Sequence, residues 1–162
     1  MSVETLARKP ATVRAARSVQ ASAVVQPLFW GKARALLSHS ENQRLQLILE
    51  GFPASWIDET KATFGLSSRL AEVLFNTSTS TLERRRKDDK PLGSVASERL
   101  DRIATVATQA AEVFEDDDKA ARWMATPNAV LGNKTPIELC EMEIGAKQVR
   151  RVLNAMEWGG VA

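Results

Sequence analysis

The residues best suited to a chemical role are four consecutive cations, preceded by four hydroxyl side chains. The cations are Arg84, Arg85, Arg86 and Lys87, and the hydroxyls are Ser78, Thr79, Ser80 and Thr81. Cationic side chains bind phosphates, and small hydroxyls at a helix N-terminus suit the same contact. Because a helix turns by about 100° per residue, the four cations cannot all face one groove. The run predicts a DNA-contacting helix, and its alternative is an ordinary solvated face.

The sequence offers no comparable set of residues for catalysis or metal binding. The single His39 and the single Cys140 are far apart, and the acidic run at 116–118 has no partners at metal-binding spacing. There is no glycine-rich phosphate loop and no Ser-x-Gly elbow. Cys140 follows Leu139 on an apolar helix face, which is typical of a small core residue. We expect a protein that is not an enzyme, with no metal and no cofactor.

Charge is distributed unevenly along the 162 residues. Residues 1–93 carry 14 Lys and Arg against 9 Asp and Glu, a net +5, whereas residues 94–162 carry 8 against 11, a net −3. A basic half suits a polyanion such as DNA, although solvated faces also segregate charge. A lone cysteine, no apolar leader and no apolar stretch of spanning length predict a cytoplasmic protein without membrane function.

Composition and periodicity favour an all-α fold. Hydrophobic residues make up 44% of the chain, Tyr is absent, and helix-forming residues dominate. Residues 1–26 have no sustained period and are interpreted as a flexible basic arm. Helices are predicted at 27–37 and 41–50, the second ended by Gly51. A third helix, capped by Ser55, should end at Gly65.

A helix-turn-helix is predicted over residues 67–87. Ser67 caps the first helix, and the basic run ends the second. The usual motif has a small residue and a glycine where this chain has Glu72 and Asn76. Asn tolerates the left-handed turn at modest cost, whereas Glu72 is harder to accommodate.

The second half begins after a charged Pro-Gly connection at 88–93. Apolar residues spaced alternately four and three apart predict one long helix, which should pack on a neighbouring helix or a second copy of the chain. They are Ala96, Leu100, Ile103, Ala107, Ala110 and Phe114. Further helices are predicted at 119–125, behind three acids that complement its dipole, and from Thr135-Pro136 through Cys140. Gly145 should break or kink that helix before a final one.

The C-terminal third carries a specific set of motifs. These are Trp123-Met124, the loop Thr126-Pro127-Asn128-Ala129-Val130-Leu131-Gly132, the helix start Thr135-Pro136-Ile137-Glu138-Leu139, Gly145-Ala146, and Met156-Glu157-Trp158-Gly159. Their order and spacing resemble the toxin-binding domain of Xre/MbcA/ParS-type antitoxins. Met124 and Trp158 stand where that family commonly has Leu and Tyr. Residues from Gly51 to Arg86 also resemble the family's Xre-type DNA-binding half.

The resemblance implies a function and two partners. It implies a type II antitoxin whose partner is a RES-domain toxin that uses NAD, while the antitoxin itself binds no NAD. Its C-terminal region would cover the toxin's active site, and pairs of antitoxins would bind their own operator DNA and repress the operon. The toxin-binding residues implied are Pro127, Asn128, Leu131, Gly132, Thr135, Pro136, Glu157, Trp158, Gly159 and Gly160.

Three regions follow from this interpretation. They are the arm at 1–26, a DNA-binding domain at 27–93, and a toxin-binding and dimerisation domain at 94–162. The apolar tail at 158–162 should lie over the toxin's active-site entrance, with Trp158 as its anchor. For Trp123, an ordinary core aromatic is the better interpretation. The alternative function is a transcription regulator whose C-terminal half only dimerises or senses a ligand.

Overall fold

The computed structural model describes residues 28–159, which fold as helices with short connections. In chain order the elements are α1 (Leu28–Leu37), α2 (Glu41–Glu50), α3 (Ser55–Phe64), α4 (Ser68–Phe75), α5 (Thr79–Lys87), α6 (Ser94–Phe114), α7 (Asp117–Met124), a 3₁₀ turn (Ala129–Leu131), α8 (Pro136–Leu139) and α9 (Glu143–Glu157). The all-α prediction is confirmed. The predicted arm at 1–26 and Gly160 lie outside the described residues.

The long helix α6 is the centre of the fold. It contacts α1, α2 and α4 on the N-terminal side and α7 and α9 on the C-terminal side. Leu100 and Ile103 are wholly buried, together with Ala104, Ala107 and Ala110. Phe114, the last residue of the predicted apolar stripe, is half-buried. The stripe therefore packs against helices of the same chain, one of the two arrangements that its spacing allows.

Polar contacts add to this packing at α2 and α4. The guanidinium of Arg44 on α2 donates to both carboxylate oxygens of Asp101, at 2.9 and 2.7 Å, and to the hydroxyl of Thr105 at 2.9 Å. Arg99 of α6 donates to two carbonyl oxygens in the last turn of α4, at 2.9 and 3.0 Å. The Val73 carbonyl also accepts from the backbone N–H of Asn76 at 3.3 Å, whereas carbonyls at a helix C-terminus such as that of Leu74 lack helical partners, so Arg99 supplies a donor that water would otherwise provide.

One turn further along α6, Arg102 makes the corresponding contacts to the C-terminal half. Its guanidinium donates to the carbonyls of Cys140 and Glu141 at 3.1 and 2.7 Å, and to the carboxylate of Glu98 at 2.7 Å. A single cluster of buried side chains extends from α1 to α9. The helix that follows the predicted boundary at residue 93 thus touches both halves, and the boundary itself stays a prediction.

The start of α3 differs from the prediction. Ala54 rather than Ser55 occupies the N-cap position and makes no side-chain capping hydrogen bond. The carbonyls of Pro53 and Ala54 accept hydrogen bonds from the backbone N–H groups of Trp56 and Ile57 at 3.0 and 3.2 Å. The prediction was wrong by one residue because the backbone begins this helix without a hydroxyl.

Gly145 also has a different role from the one predicted. It lies inside α9, whereas the preceding helix, α8, already ends at Leu139. A Cβ atom at position 145 would lie 2.1 Å from the carbonyl oxygen of Leu139, well inside van der Waals contact. The glycine therefore allows α9 to pack against the backbone at the end of α8 and does not break a helix.

Among residues 28–159, no helix is both long and apolar enough to cross a bilayer.

Candidate DNA-binding and partner-binding sites

The helix-turn-helix is formed by α4, a three-residue turn and α5. The Ser67 hydroxyl accepts from the backbone N–H of Leu70 at 3.1 Å and so caps α4. Asn76 adopts the left-handed conformation, with φ of +50°, at the C-terminus of α4. The backbone N–H of Thr77 donates to the carbonyl of Glu72 at 3.2 Å, which closes a Schellman turn. The sequence-based view that Asn76 suits this turn agrees with the geometry.

Glu72, the residue that the sequence makes hardest to accommodate, stabilises the turn. Its carboxylate accepts from the backbone N–H of Thr79 at 2.6 Å and from the Thr79 hydroxyl at 2.7 Å. Glu72 thus provides an acceptor for the first N–H of α5 from across the turn. Hydrogen bonds from the side chain and then the backbone of Thr79 lower the pKa of Glu72 below its ordinary value of 4.5.

This capping contact predicts a pH dependence. A carboxylate whose pKa is lower in the folded state stabilises the fold above its unfolded pKa, and that stabilisation is lost as pH falls through the folded pKa. We expect Glu72→Gln to lower the urea midpoint at pH 7, with a smaller difference from the parent at pH 3. The exposed Glu83 of α5 offers a matched control, Glu83→Gln. An equal difference in urea midpoint at both pH values would show that the charge of the Glu72 carboxylate does not cause the stabilisation.

The hydroxyl residues predicted to contact DNA have unequal freedom. Ser78 is the N-cap of α5 and accepts from the backbone N–H of Thr81 at 3.2 Å. The Ser78 hydroxyl also donates to that of Thr81 at 2.9 Å, and Thr79 is bound to Glu72. Ser80 is exposed. The Ser80 hydroxyl lies 3.2 Å from that of Ser78. The other three hydroxyls shape the helix N-terminus, and Ser80 has the fewest contacts of the four within the described residues.

The four predicted cations also separate into two kinds. Arg86 forms an ion pair with Asp58 of α3 at 2.9 Å, and the guanidinium of Arg85 donates to the carbonyl of Pro91 in the connection to α6. Arg84 and Lys87 are exposed and have no ion pair among residues 28–159. With Ser80 they recur at i, i+4 and i+7, so these three side chains share one outward face of α5.

A basic groove that the sequence did not indicate lies beside α5. It measures about 370 Å³ and runs between the start of α3 and the connection after α5. Three cations, Arg85, Arg86 and Lys90, and one acid, Asp89, line it, together with Gly51, residues 53–55 and Pro91. Lys90 follows the run after two acidic residues, and its backbone N–H donates to the Arg85 carbonyl at 2.8 Å, so a local turn at the end of α5 brings it beside the arginines.

The Pro-Asn loop of the C-terminal half is held by Asn128. Its side-chain oxygen accepts from the backbone N–H of Val130 at 2.9 Å, and its backbone carbonyl accepts from Leu131 and Asn133. Gly132 follows in the left-handed conformation, with φ of +68°. Pro127, Gly132 and Val130 are exposed, whereas Leu131 is buried. The loop is thus internally bonded, and Leu131 packs it onto the core.

The Thr-Pro motif begins α8 with a capping box. The backbone N–H and hydroxyl of Thr135 donate to the carboxylate of Glu138 at 2.9 and 2.7 Å, and the Thr135 hydroxyl accepts from the Glu138 N–H at 3.3 Å. The hydroxyl of Thr135, and then its N–H, lower the pKa of Glu138. Pro136 is the first helical residue and is buried. Both motif residues therefore hold α8 in place.

The end of α9 exposes the tail residues predicted to bind a partner. Trp158 is 87% exposed, and Glu157 and Gly159 beside it are also exposed. Two further apolar residues that the sequence analysis missed, Met142 and Ile144, are 63% and 68% exposed at the other end of α9. Their exposure depends on how α9 packs, which no local motif reveals.

Cys140, His39 and Trp123 lie in different surroundings. Cys140 is buried and donates to the carbonyl of Pro136 at 3.4 Å, and burial raises the pKa of its thiol to about 12. His39 is exposed, with a ring nitrogen 2.9 Å from the carbonyl of Ala35. Trp123 is partly buried, with its ring centroid 5.7 Å from that of Phe114. Within residues 28–159 no cluster of His, Cys, Asp and Glu could hold a metal ion.

Both halves match known families. Residues 43–104 match the antitoxin Xre-like helix-turn-helix domain, and residues 109–159 match the antitoxin Xre/MbcA/ParS C-terminal toxin-binding domain. An Antitoxin Xre from Photorhabdus laumondii is 31% identical over 129 residues, which cover 76% of this chain and 84% of the relative. The chain belongs to the Xre antitoxin family.

Two other relatives of this Xre antitoxin differ in how far they align. An Antitoxin Xre from Yersinia enterocolitica is 38% identical over 80 residues, which span 49% of this chain but only 54% of the relative. A protein from Sphingobium sp. named Prs ADP-ribosylating antitoxin is 24% identical over 138 residues, which cover 80% of this chain and 87% of the relative.

Proposed function

We propose that this chain neutralises a toxin as the antitoxin of a type II pair and represses its own operon by binding operator DNA. The exposed Trp158 at the end of a segment that matches a toxin-binding domain supports the first role. The outward face of α5 in a segment that matches an Xre-like helix-turn-helix supports the second. We propose that both roles are carried by one chain, with α6 between them.

The proposed partner is a RES-domain toxin that uses NAD. The family resemblance implies this partner, and the relative named for ADP-ribosylation is consistent with it, because that reaction transfers ADP-ribose from NAD. In the proposed complex the antitoxin supplies no reacting group. Its contribution is steric: the 127–135 loop and the residues from Glu157 onward cover the entrance through which NAD would reach the toxin's active site.

The direct test is to co-express this chain with the toxin that is encoded beside it. We expect the toxin alone to stop growth and deplete cellular NAD, and the pair to restore both and to copurify. If the chain fails to bind that toxin but still binds the operon promoter, its family role in neutralisation does not apply to it. The alternative regulator, whose C-terminal half only dimerises or senses a ligand, would then be the better interpretation.

The proposed operator contact uses two chains and the cations of α5. A pair of antitoxins would present two copies of α5 to successive turns of the major groove, the arrangement common in helix-turn-helix repressors. The residues on the outward face, Ser80, Arg84 and Lys87, would contact DNA directly. Arg85, Arg86 and Lys90, which line the basic groove beside α5, would bind the phosphates of the DNA backbone there.

We predict that replacing Arg84 and Lys87 by Ala weakens operator binding without weakening the fold. Each lost phosphate contact should reduce the slope of log K against log salt by about 0.9, so the pair should reduce it by about two. Replacing Arg86 would also remove its ion pair with Asp58, so Arg84 and Lys87 give the cleaner test. Binding would be measured by fluorescence anisotropy between about 50 and 200 mM salt.

The exposed cations of α7, Lys119 and Arg122, provide the matched control for that prediction. Their double Ala variant changes net charge by the same amount on a different surface. It should bind operator DNA with nearly the parent slope. Equal losses in both double variants would assign the effect to overall charge and not to α5.

A further inference from the structure

The outward side of α9 carries a regular row of exposed residues. The row is Ile144, Gln148, Arg151, Ala155 and Trp158, at spacings of four, three, four and three, and every member is exposed. The opposite side of α9 is buried through Val149, Val152 and Leu153. We call these five residues the α9 row.

Both ends of the α9 row are apolar and its middle is cationic. Ile144 and Trp158 are separated by fourteen residues, which is about 21 Å along a helix and about 40° around it. They therefore lie on nearly the same side. Arg151 stands halfway between them, and exposed Lys147 flanks it. The carboxylate of Glu143 on the adjacent face is paired with Arg150.

The charge at the centre argues against a second copy of this chain as the occupant. In a twofold-symmetric antiparallel pairing of two α9 rows, Ile144 would meet the Trp158 position of the other copy. The residue at the symmetry axis would be number 151, so two guanidinium groups would face each other in a desolvating interface. Like charges placed opposite each other cost several kcal/mol in an interface. A different partner, whose surface has acidic groups between two apolar depressions, would avoid this repulsion between guanidinium groups.

We propose that the α9 row docks onto the toxin, so that the antitoxin interface extends about 21 Å from the tail back to Ile144. This inference rests on the proposed neutralising function and specifies its contact surface. The whole of α9 lies within the segment that matches the toxin-binding domain. The matching toxin surface has two apolar depressions about 20 Å apart, one for each end of the row. An acidic patch between them receives Arg151.

The test measures toxin binding by single-site variants of the full chain. Arg151→Glu and Ile144→Asp should each weaken the Kd for the toxin by about tenfold or more, because centrally placed Arg and apolar anchors dominate such interfaces. Matched controls are Arg122→Glu on α7, and Leu49→Asp on α2, where Leu49 is 61% exposed. Both controls should bind the toxin like the parent. Thermal midpoints and operator binding should stay at parent values in all four variants.

The outcomes separate the two proposals. If the parent chain itself does not bind the toxin, the proposed function fails. If the parent binds and both row variants bind equally well, the α9 row is not the interface. A loss of self-association in those variants, with toxin affinity unchanged, would overturn the inference in favour of a second copy. Should either variant lower the thermal midpoint, Arg151→Gln and Ile144→Ser replace them in the same assay.

Discussion

Removing Trp158 through Ala162 is expected to release the toxin while the rest of the chain stays folded. Trp158 is 87% exposed, and the buried residues of α9 end with Leu153. Substitutions at exposed positions usually change stability by less than about 0.5 kcal/mol. The same exposure makes Trp158 available to a partner, where a buried Trp commonly contributes 2 kcal/mol or more, or about 30-fold in Kd.

Growth and NAD level are measured in cells that express the toxin with each antitoxin variant. The thermal midpoint is measured on the purified proteins. The truncated chain should keep its thermal midpoint and its operator affinity but leave the toxin active. Two companion variants locate the effect: Trp158→Ala should reproduce most of it, whereas removing residues 160–162 alone, which leaves Trp158 in place, should release the toxin only partly. Full suppression by the truncated chain would assign the blockade to the 127–135 loop or to earlier parts of α9. A collapsed midpoint would instead show that Trp158 supports the fold.

Local signals in the sequence predicted the helix boundaries well. Ser67, Asn76 and the Thr135-Pro136 pair each act within a few residues of their own position, through caps and turns whose hydrogen bonds close locally. The alternating spacing along α6 predicted its buried side, because helical periodicity alone fixes which residues share a face. The order of the C-terminal motifs supplied the family, which the identity to the Photorhabdus relative confirmed.

Contacts between distant residues were beyond the reach of the sequence. The carboxylate of Glu72 appeared misplaced until the fold set it beside Thr79, and Gly145 appeared to be a helix breaker until α9 packed onto α8. The basic run looked uniform, yet Arg86 belongs to an ion pair with α3. In each case the partner is six or more residues away, so its position depends on packing and not on local pattern.

The exposure of Ile144 illustrates the same limit for the candidate interface. In the sequence Ile144 precedes Gly145-Ala146 and resembles any other apolar residue of an amphipathic helix. Its side chain is 68% exposed because the buried side of α9 is set by Gly145, Ala146 and Val149, which meet α8 and α6. Only the packed structure therefore separates an exposed apolar residue from a core residue here.

The centre of the fold predicts the second large effect, that of Leu100→Ala on stability. Leu100 is wholly buried on α6, where helices from both halves of the chain meet. Removing its isobutyl group should cost about 2 to 4 kcal/mol, because the transfer free energy is lost and a cavity remains. For a chain of this size the thermal midpoint should fall by about 4 to 16 °C.

Val95, which is 52% exposed near the start of the same helix, provides the matched control. Val95→Ala should leave the midpoint within a degree or two of the parent, since little apolar area is lost. Because α6 contacts α4 as well as α9, Leu100→Ala should weaken operator binding and toxin binding at the same elevated temperature. If the two activities disappeared at clearly different temperatures, the halves would unfold independently, and α6 would not be the shared support that its contacts on both sides indicate.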